Sequence, residues 1–404
     1  MYPLEPDNLT SIVGRVLKIE DVTRGDPKKD YLARYRGRLY NEDTAAAYDQ
    51  LAEALRPLEV TPLFRKEKDS HVVILTQGVI RPKPSNARVN LILFILTAIS
   101  VFWAGTYYTL AGNYDGPANP DMRALLPYFL KSTGGGAAFA VSLLAILLAH
   151  EFGHYLAGRF HKTHVTLPYF IPFPLNFGTL GAFIQLKEPP KNRRILLDIG
   201  IAGPIAGLVV AIPVVILGLS LSQVSPIPAH LPQGQILQIE GNSILYLLSK
   251  FLVFGKLLPE PGSYGNLPPL LYWIRYFFTG QPVPLGGVDV MLHPVAWAGW
   301  AGLLVTALNL IPAGQLDGGL VLYVLLGKRA STLLPVILIA LALLGLVWPG
   351  WWLWAFLIFL LGRSHAEPLD QITSLDPQRQ AIAVLGLIIF ILVFTPVPLL
   401  AVGL

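Results

Sequence analysis

The stretch 149–156 reads A-H-E-F-G-H-Y-L and holds His150, Glu151 and His154 in the pattern H-E-x-x-H. On a helix, residues four apart lie on one face, about one turn from each other. Two imidazoles at that spacing can hold one zinc ion, and Glu151 beside them is placed to take a proton from a water held there. The apolar run 137–148 leads straight into the motif. Ionisable groups at the end of a membrane-length segment are costly and mark function; solvated or interfacial histidines are the competing reading. A catalytic zinc site commonly has three protein ligands and a water. The chain has no cysteine, so the third ligand must be a histidine or a carboxylate. Asp317, in N-L-I-P-A-G-Q-L-D-G-G at 309–319, is an acid inside an apolar segment, with Pro312, Gly314, Gly318 and Gly319 breaking the helix around it. Irregular backbone at membrane depth survives only where it is buried in protein or lines a wet cavity. The alternative role for Asp317 is to cap the following helix.

These residues must be positioned by a polytopic membrane fold. Of 404 residues, 53% are apolar and only 14% charged, far from the balance of a soluble globular domain. Residues 1–30 are mixed and polar, without the pattern of a signal peptide. Residues 1–86 read as a small soluble α+β domain. Residues 43–55 form an amphipathic helix with Ala47, Leu51 and Leu55 on one face and Asp43 as N-cap. Strands are expected at 32–40, 60–64 and 71–76, and Pro82, Pro84 and Ser85 make a linker. His71 reads as a surface histidine.

Residues 87–404 read as the membrane domain. Spans are expected at about 89–108, 134–156, 195–221, 294–326 (broken near 312–319), 332–346, 351–361 and 381–402, seven in all. The connection 222–288 is rich in Pro and Gly, and its segments 243–254 and 267–278 read as interfacial helices rather than a re-entrant pair. Charge placement orients the chain. Arg81, Lys83 and Arg88 precede the first span. Arg159, Lys162, Lys187, Lys191, Arg193 and Arg194 lie between the second and third, and Lys328 and Arg329 follow the fourth. With seven spans all three groups fall on one side, joined by Arg363 and Arg379. The expectation is a multi-pass protein of the cell membrane, with a cytoplasmic N-terminus, an outside C-terminus and the histidines towards the cytoplasmic face.

The run 165–186, V-T-L-P-Y-F-I-P-F-P-L-N-F-G-T-L-G-A-F-I-Q-L, alternates extended apolar residues with Pro and Gly. It fits a β-hairpin dipping into the membrane, whose edge could pair with an extended peptide by strand addition; a structural hydrophobic loop is the alternative. Asn176 within it could hydrogen-bond a substrate backbone or form an Asx-turn.

Taken together, H-E-F-G-H at 150–154, this hairpin, A-G-P-I-A-G at 202–207 and N-L-I-P-A-G-Q-L-D-G-G at 309–319 resemble the site-2 protease family (M50) of intramembrane zinc metalloproteases. The closer likeness is to its EGY-type branch of plastids and bacteria. The resemblance covers roughly residues 88–402. It implies zinc ligands at His150, His154 and Asp317, a general base at Glu151 and a substrate-orienting role for Asn309. The chain departs from the pattern at Leu320, where many members carry His, and only Gly37-Arg38-Leu39-Tyr40 approaches the branch's G-N-L-R signature. The expected function is hydrolysis of peptide bonds within or next to transmembrane segments of membrane-protein substrates, with one zinc per chain and the lipid bilayer as setting. A non-catalytic scaffold or chaperone of the same fold is the first rival. A metal-dependent transporter is the second, although the spans show no internal repeat. No basic patch interleaved with aromatics is present, so nucleic acid is not an expected partner.

Overall fold

The computed structural model describes residues 6–25, 31–82, 85–116, 121–230, 237–362 and 367–403. Lys83, Pro84 and Arg363, used above for linker and charge placement, lie outside them. The chain begins with α1 (Pro6–Val13), β1 (Leu17–Arg24), β2 (Ala33–Leu39), α2 (Thr44–Leu55), β3 (Val60–Glu67) and β4 (Ser70–Gln77). The four strands form one antiparallel sheet in the order β1-β2-β4-β3. Helix α2 starts where Asp43 accepts the Ala46 N–H at 3.1 Å, and it buries Ala47, Tyr48, Leu51 and Leu55 at helical spacing. Tyr48 meets Phe64 of β3 edge-on, with centroids 5.2 Å apart. The sequence reading did not anticipate α1 or β1. Helix α1 has only 8 residues, and β1 buries Leu17 alone among its residues, so neither carries the periodic signal that reveals an element. His71 is half-buried rather than a free surface group, and its Nδ1 accepts the Leu39 N–H at 3.2 Å.

Next come α3 (Ala87–Asn113), α4 (Met122–Phe160), the hairpin strands β5 (Tyr169–Pro172) and β6 (Thr179–Phe183), and α5 (Arg193–Ser220). Asn86, Asp121 and Asn192 cap the three helices, accepting the N–H groups of Arg88, Ala124 and Ile195. Each oxygen satisfies an otherwise orphaned N–H of a first turn. Helix α4 begins at Met122, well before the expected span, and runs 39 residues through Pro127. The connection that follows α5 holds β7 (Gln223–Pro226), β8 (Leu237–Glu240), α6 (Ile244–Phe254), α7 (Pro269–Thr279) and β9 (Val288–Met291), with β7 paired to β9. The remainder is α8 (Pro294–Asn309), α9 (Asp317–Leu326), α10 (Ala330–Gly345), α11 (Gly350–Leu361), α12 (Pro377–Val393) and β10 (Leu399–Val402).

Among the described residues, four helical runs are long and apolar enough to cross a membrane: Ala87–Asn113, Met122–Phe160, Arg193–Ser220 and Asp317–Gly345. The last joins α9 to α10 through a 3₁₀ turn, Gly327–Arg329, so Lys328 and Arg329 occupy a helical turn rather than an open loop. The final helix ends at Val393, not near residue 402. Pro396 and Pro398 lack the backbone N–H groups that would extend it, and the chain continues as β10, which pairs with β8.

Helices α4, α5 and α8 make the centre of the core. Small residues let them approach closely. A Cβ on Gly299 would lie 2.7 Å from a Val215 methyl, and one on Gly302 2.7 Å from Ile146. Away from this core, Lys250 of α6 is fully buried, 3.0 Å from Glu240 and 3.4 Å from Asp289. The Tyr246 hydroxyl donates to Glu240 at 3.1 Å. Burial pushes the Asp289 carboxyl up to about 6, against the pull of Lys250. Lys250→Ala would leave two buried carboxylates without their cation, a loss of about 3–5 kcal/mol. Denaturant unfolding of the variant measures it, and a change below about 1 kcal/mol would mean that the cluster is hydrated.

Candidate metal centre

The helical spacing of His150 and His154 places both rings on the inward face of α4, where they are 3% and 6% exposed. Asp317 reaches them from the first residue of α9. His150 Nε2 and His154 Nε2 are 3.2 Å apart, and each lies 3.3 Å from Asp317 Oδ2. A tetrahedral site with metal–ligand bonds of about 2.0–2.1 Å has donor atoms about 3.3 Å apart, so three corners of such a site are already in place. Among the described residues this is the one group of three His or carboxylate side chains arranged to hold a metal ion. His154 Nδ1 donates to the Ile199 carbonyl at 2.7 Å. That bond orients the ring and leaves the Nε2 lone pair facing the other two donors. Glu151 is 3% exposed, and its Oε2 has no hydrogen-bond partner within the protein. A buried carboxylate oxygen left unpaired is costly unless the site supplies its partner.

Backbone geometry explains the glycines. A Cβ on Gly203 would overlap His154 Nε2, and one on Gly207 would press on His150 at 3.2 Å. Thus A-G-P-I-A-G on α5 is the shelf on which the two rings rest. Between α8 and α9, a Cβ on Gly318 would overlap the Leu310 carbonyl, and Gly314 adopts φ +60°. The chain turns tightly enough to start α9 at Asp317, where the helix N-terminus favours an anion.

The three donors open onto a cavity of about 640 Å³, lined also by Glu151, Asn309, Gln315, Leu316, Leu320 and residues 182–186, the end of β6 and its continuation. The expected hairpin is present: β5 and β6 pair antiparallel, and Val165 bridges Leu186. Asn309 Nδ2 lies 3.3 Å from His150 Nε2. Asn176 does not line the cavity. It is exposed at the hairpin turn with φ +53°, the left-handed conformation that asparagine tolerates. The neighbouring Phe177 tilts over Trp297 and Trp300, and Gly178 lies against Ser100 and Val101 of α3. The Ile199 carbonyl was missed from the sequence because a backbone group carries no side-chain signal. Gly203 was noticed only as part of a motif.

The model of Peptidase family M50 matches residues 138–345, just over half of the chain, and spans both histidines, Glu151, the hairpin and Asp317. This chain belongs to Peptidase family M50. The M50 chain is similar to two proteins named Probable zinc metalloprotease EGY1, chloroplastic. It is 30% identical to that of Arabidopsis thaliana over 284 residues, 69% of this chain and 45% of the relative. It is 31% identical to that of Oryza sativa subsp. japonica over 346 residues, 81% of this chain and 53% of the relative. Probable zinc metalloprotease EGY2, chloroplastic, of Arabidopsis thaliana is 29% identical over 266 residues, 65% of this chain and 42% of the relative. The chain spans about half the length of the curated relatives it matches. No solved structure matches it.

Proposed function

We propose that this M50 chain is an intramembrane zinc metalloprotease that hydrolyses peptide bonds within or next to transmembrane segments of membrane-protein substrates. The observation that carries the reading is the convergence of His150, His154 and Asp317 beside an unpaired Glu151, in a cavity walled by the end of a β-strand. His150, His154 and Asp317 would hold the zinc. When bound, zinc supplies a Lewis acid and lowers the pKa of its water towards neutrality. Glu151 accepts the proton of the attacking water and returns it to the leaving amine. Asn309, at the cavity wall, donates to the oxygen that gains charge. The backbone of 182–186 pairs with the unwound substrate as an added strand, offsetting part of the cost of breaking its helical hydrogen bonds.

Seven crossings are consistent with α3, α4, α5, α8 with α9, α10, α11 and α12, with Gly327 (φ +62°) as the point where α9 gives way to α10. Residues 1–86 form a cytoplasmic domain and 87–404 the membrane domain, with α6 and α7 as interfacial helices. The basic residues around 159–194 support a site towards the cytoplasmic face of the cell membrane.

The test is cleavage of a model transmembrane substrate by purified, detergent-solubilised protein, with bound zinc counted. One zinc per chain, loss of cleavage on chelation and its return with added zinc are expected. A chain that binds no zinc would overturn the reading. Asn309→Ala is expected to lower kcat by about a hundredfold with zinc content unchanged; equal losses of zinc and rate would make Asn309 a support for His150 instead.

A further inference from the structure

The N-terminal sheet does not end at its edge strand β3. The Phe64 N–H donates to the Leu369 carbonyl at 3.0 Å, and the Gln371 N–H donates back to the Phe64 carbonyl at 3.0 Å. On its other side the same segment donates from Leu369 N–H to Pro190 O at 3.1 Å and from Asp370 N–H to Lys191 O at 2.7 Å. Residues 369–371 thus form parallel bridges to both Phe64 and Asn192. They complete a backbone ladder from the N-terminal sheet to the stretch just before α5. That stretch is the direct continuation of the cavity strand. Leu186 lines the cavity, Lys187 N–H donates to His164 O at 2.9 Å, and Pro189-Pro190 stiffens the path between them.

Asp370 organises the ladder. It is 0% exposed. Its Oδ1 accepts the Ile372 and Thr373 N–H groups at 2.8 and 3.1 Å, and the Thr373 hydroxyl donates to Oδ2. From β3, the Arg65 guanidinium donates to the Leu369 carbonyl at 2.8 Å. From α2, Thr44 Oγ1 lies 2.7 Å from Thr373 Oγ1. The exposed Lys191–Asp49 pair at 2.8 Å adds little by itself. The weight rests on the buried backbone bonds.

We propose that Asp370 is a positioning residue for the cavity strand: by shaping residues 369–371 it lets the N-terminal sheet hold 187–192, and with it the substrate-pairing backbone of 182–186. The substrate role of that strand rests on the protease reading above; the mechanical coupling does not.

The chain's lack of cysteine allows a clean test in the full-length protein. Asp370→Ala and Arg65→Ala break the ladder from its two sides. In each, the maleimide labelling rate of an added Ile184→Cys, half-buried in the intact protein, is expected to rise about fivefold through local opening. KM for a transmembrane substrate is expected to rise about tenfold through misplacement of the pairing strand, with kcat and bound zinc unchanged. Thr44→Cys with Thr373→Cys sets two sulfurs where the hydroxyls now touch. Oxidation of that pair is expected to restore both readouts in either variant, and reduction to remove the rescue. Unchanged labelling in both variants, or parallel losses of kcat and zinc without rescue, would overturn the proposal. If the wild type cleaves nothing, the protease reading fails, while labelling and its rescue still decide the coupling.

Discussion

Glu151→Gln is expected to abolish substrate cleavage and leave the bound zinc in place. The substitution keeps the size of the side chain and removes its ability to accept a proton. Glu151 is not one of the three converging donors, so the metal keeps all its protein ligands. A positioned general acid–base contributes about a hundred- to ten-thousandfold in rate, and in the proposed mechanism one carboxylate serves both proton transfers. The measurement is kcat on a transmembrane substrate together with zinc per chain. Residual cleavage within a factor of about ten would remove Glu151 as the base. Loss of zinc would show instead that the carboxylate holds the site together.

The second large effect is expected from Gly203→Ala, a change of one methyl group on a helix that donates no ligand. The new Cβ would overlap His154 Nε2, the atom that faces Asp317. The ring cannot retreat freely, because its Nδ1 is held by the Ile199 carbonyl. Either that bond breaks or α5 moves away from α4, where Gly153 already brings the helices within close reach of Ala202. Loss of an outer partner of a ligating histidine costs about ten- to a hundredfold in metal affinity, and displacing the ring itself is expected to exceed that. Gly134→Ala is the control: it lies on α4, its Cβ would meet nothing within 4 Å, and removal of a helical glycine is neutral or stabilising by up to about 1 kcal/mol. Competition with a zinc chelator compares the two. Equal affinities would mean that the two helices part at no cost.

Helices α4 and α5 therefore act as one unit in holding the two histidines. The third converging donor comes from a different kind of element, a helix that begins after a glycine-lined turn. Asp317 at that start is held by geometry that Gly318 and Gly319 permit, which makes the two glycines as constrained as the acid they follow.

What the chain's order alone determined is the chemistry and its local frame. H-E-x-x-H on a helix brings two imidazoles together without reference to any other part of the chain, because a four-residue separation is a property of helix geometry. The apolar runs, the cap at Asp43 and the hairpin at 165–186 are likewise local signals; α2, α3, α5 and the hairpin stand close to where those signals put them, whereas α4 begins well before its expected span. Tertiary structure decided what depends on partners distant in sequence. Asn176 carries the same chemistry as Asn309, yet only Asn309 meets the cavity, because the hairpin turn packs over α3 and α8 instead. The final strand 399–402 exists because β8 offers it an edge. Residues 369–371, about three hundred positions after β3, join the N-terminal sheet to the stretch just before α5. Backbone hydrogen bonds of that kind carry no side-chain pattern. Only the folded chain could disclose that the N-terminal sheet is tied to the stretch that leads out of the metal-centre cavity.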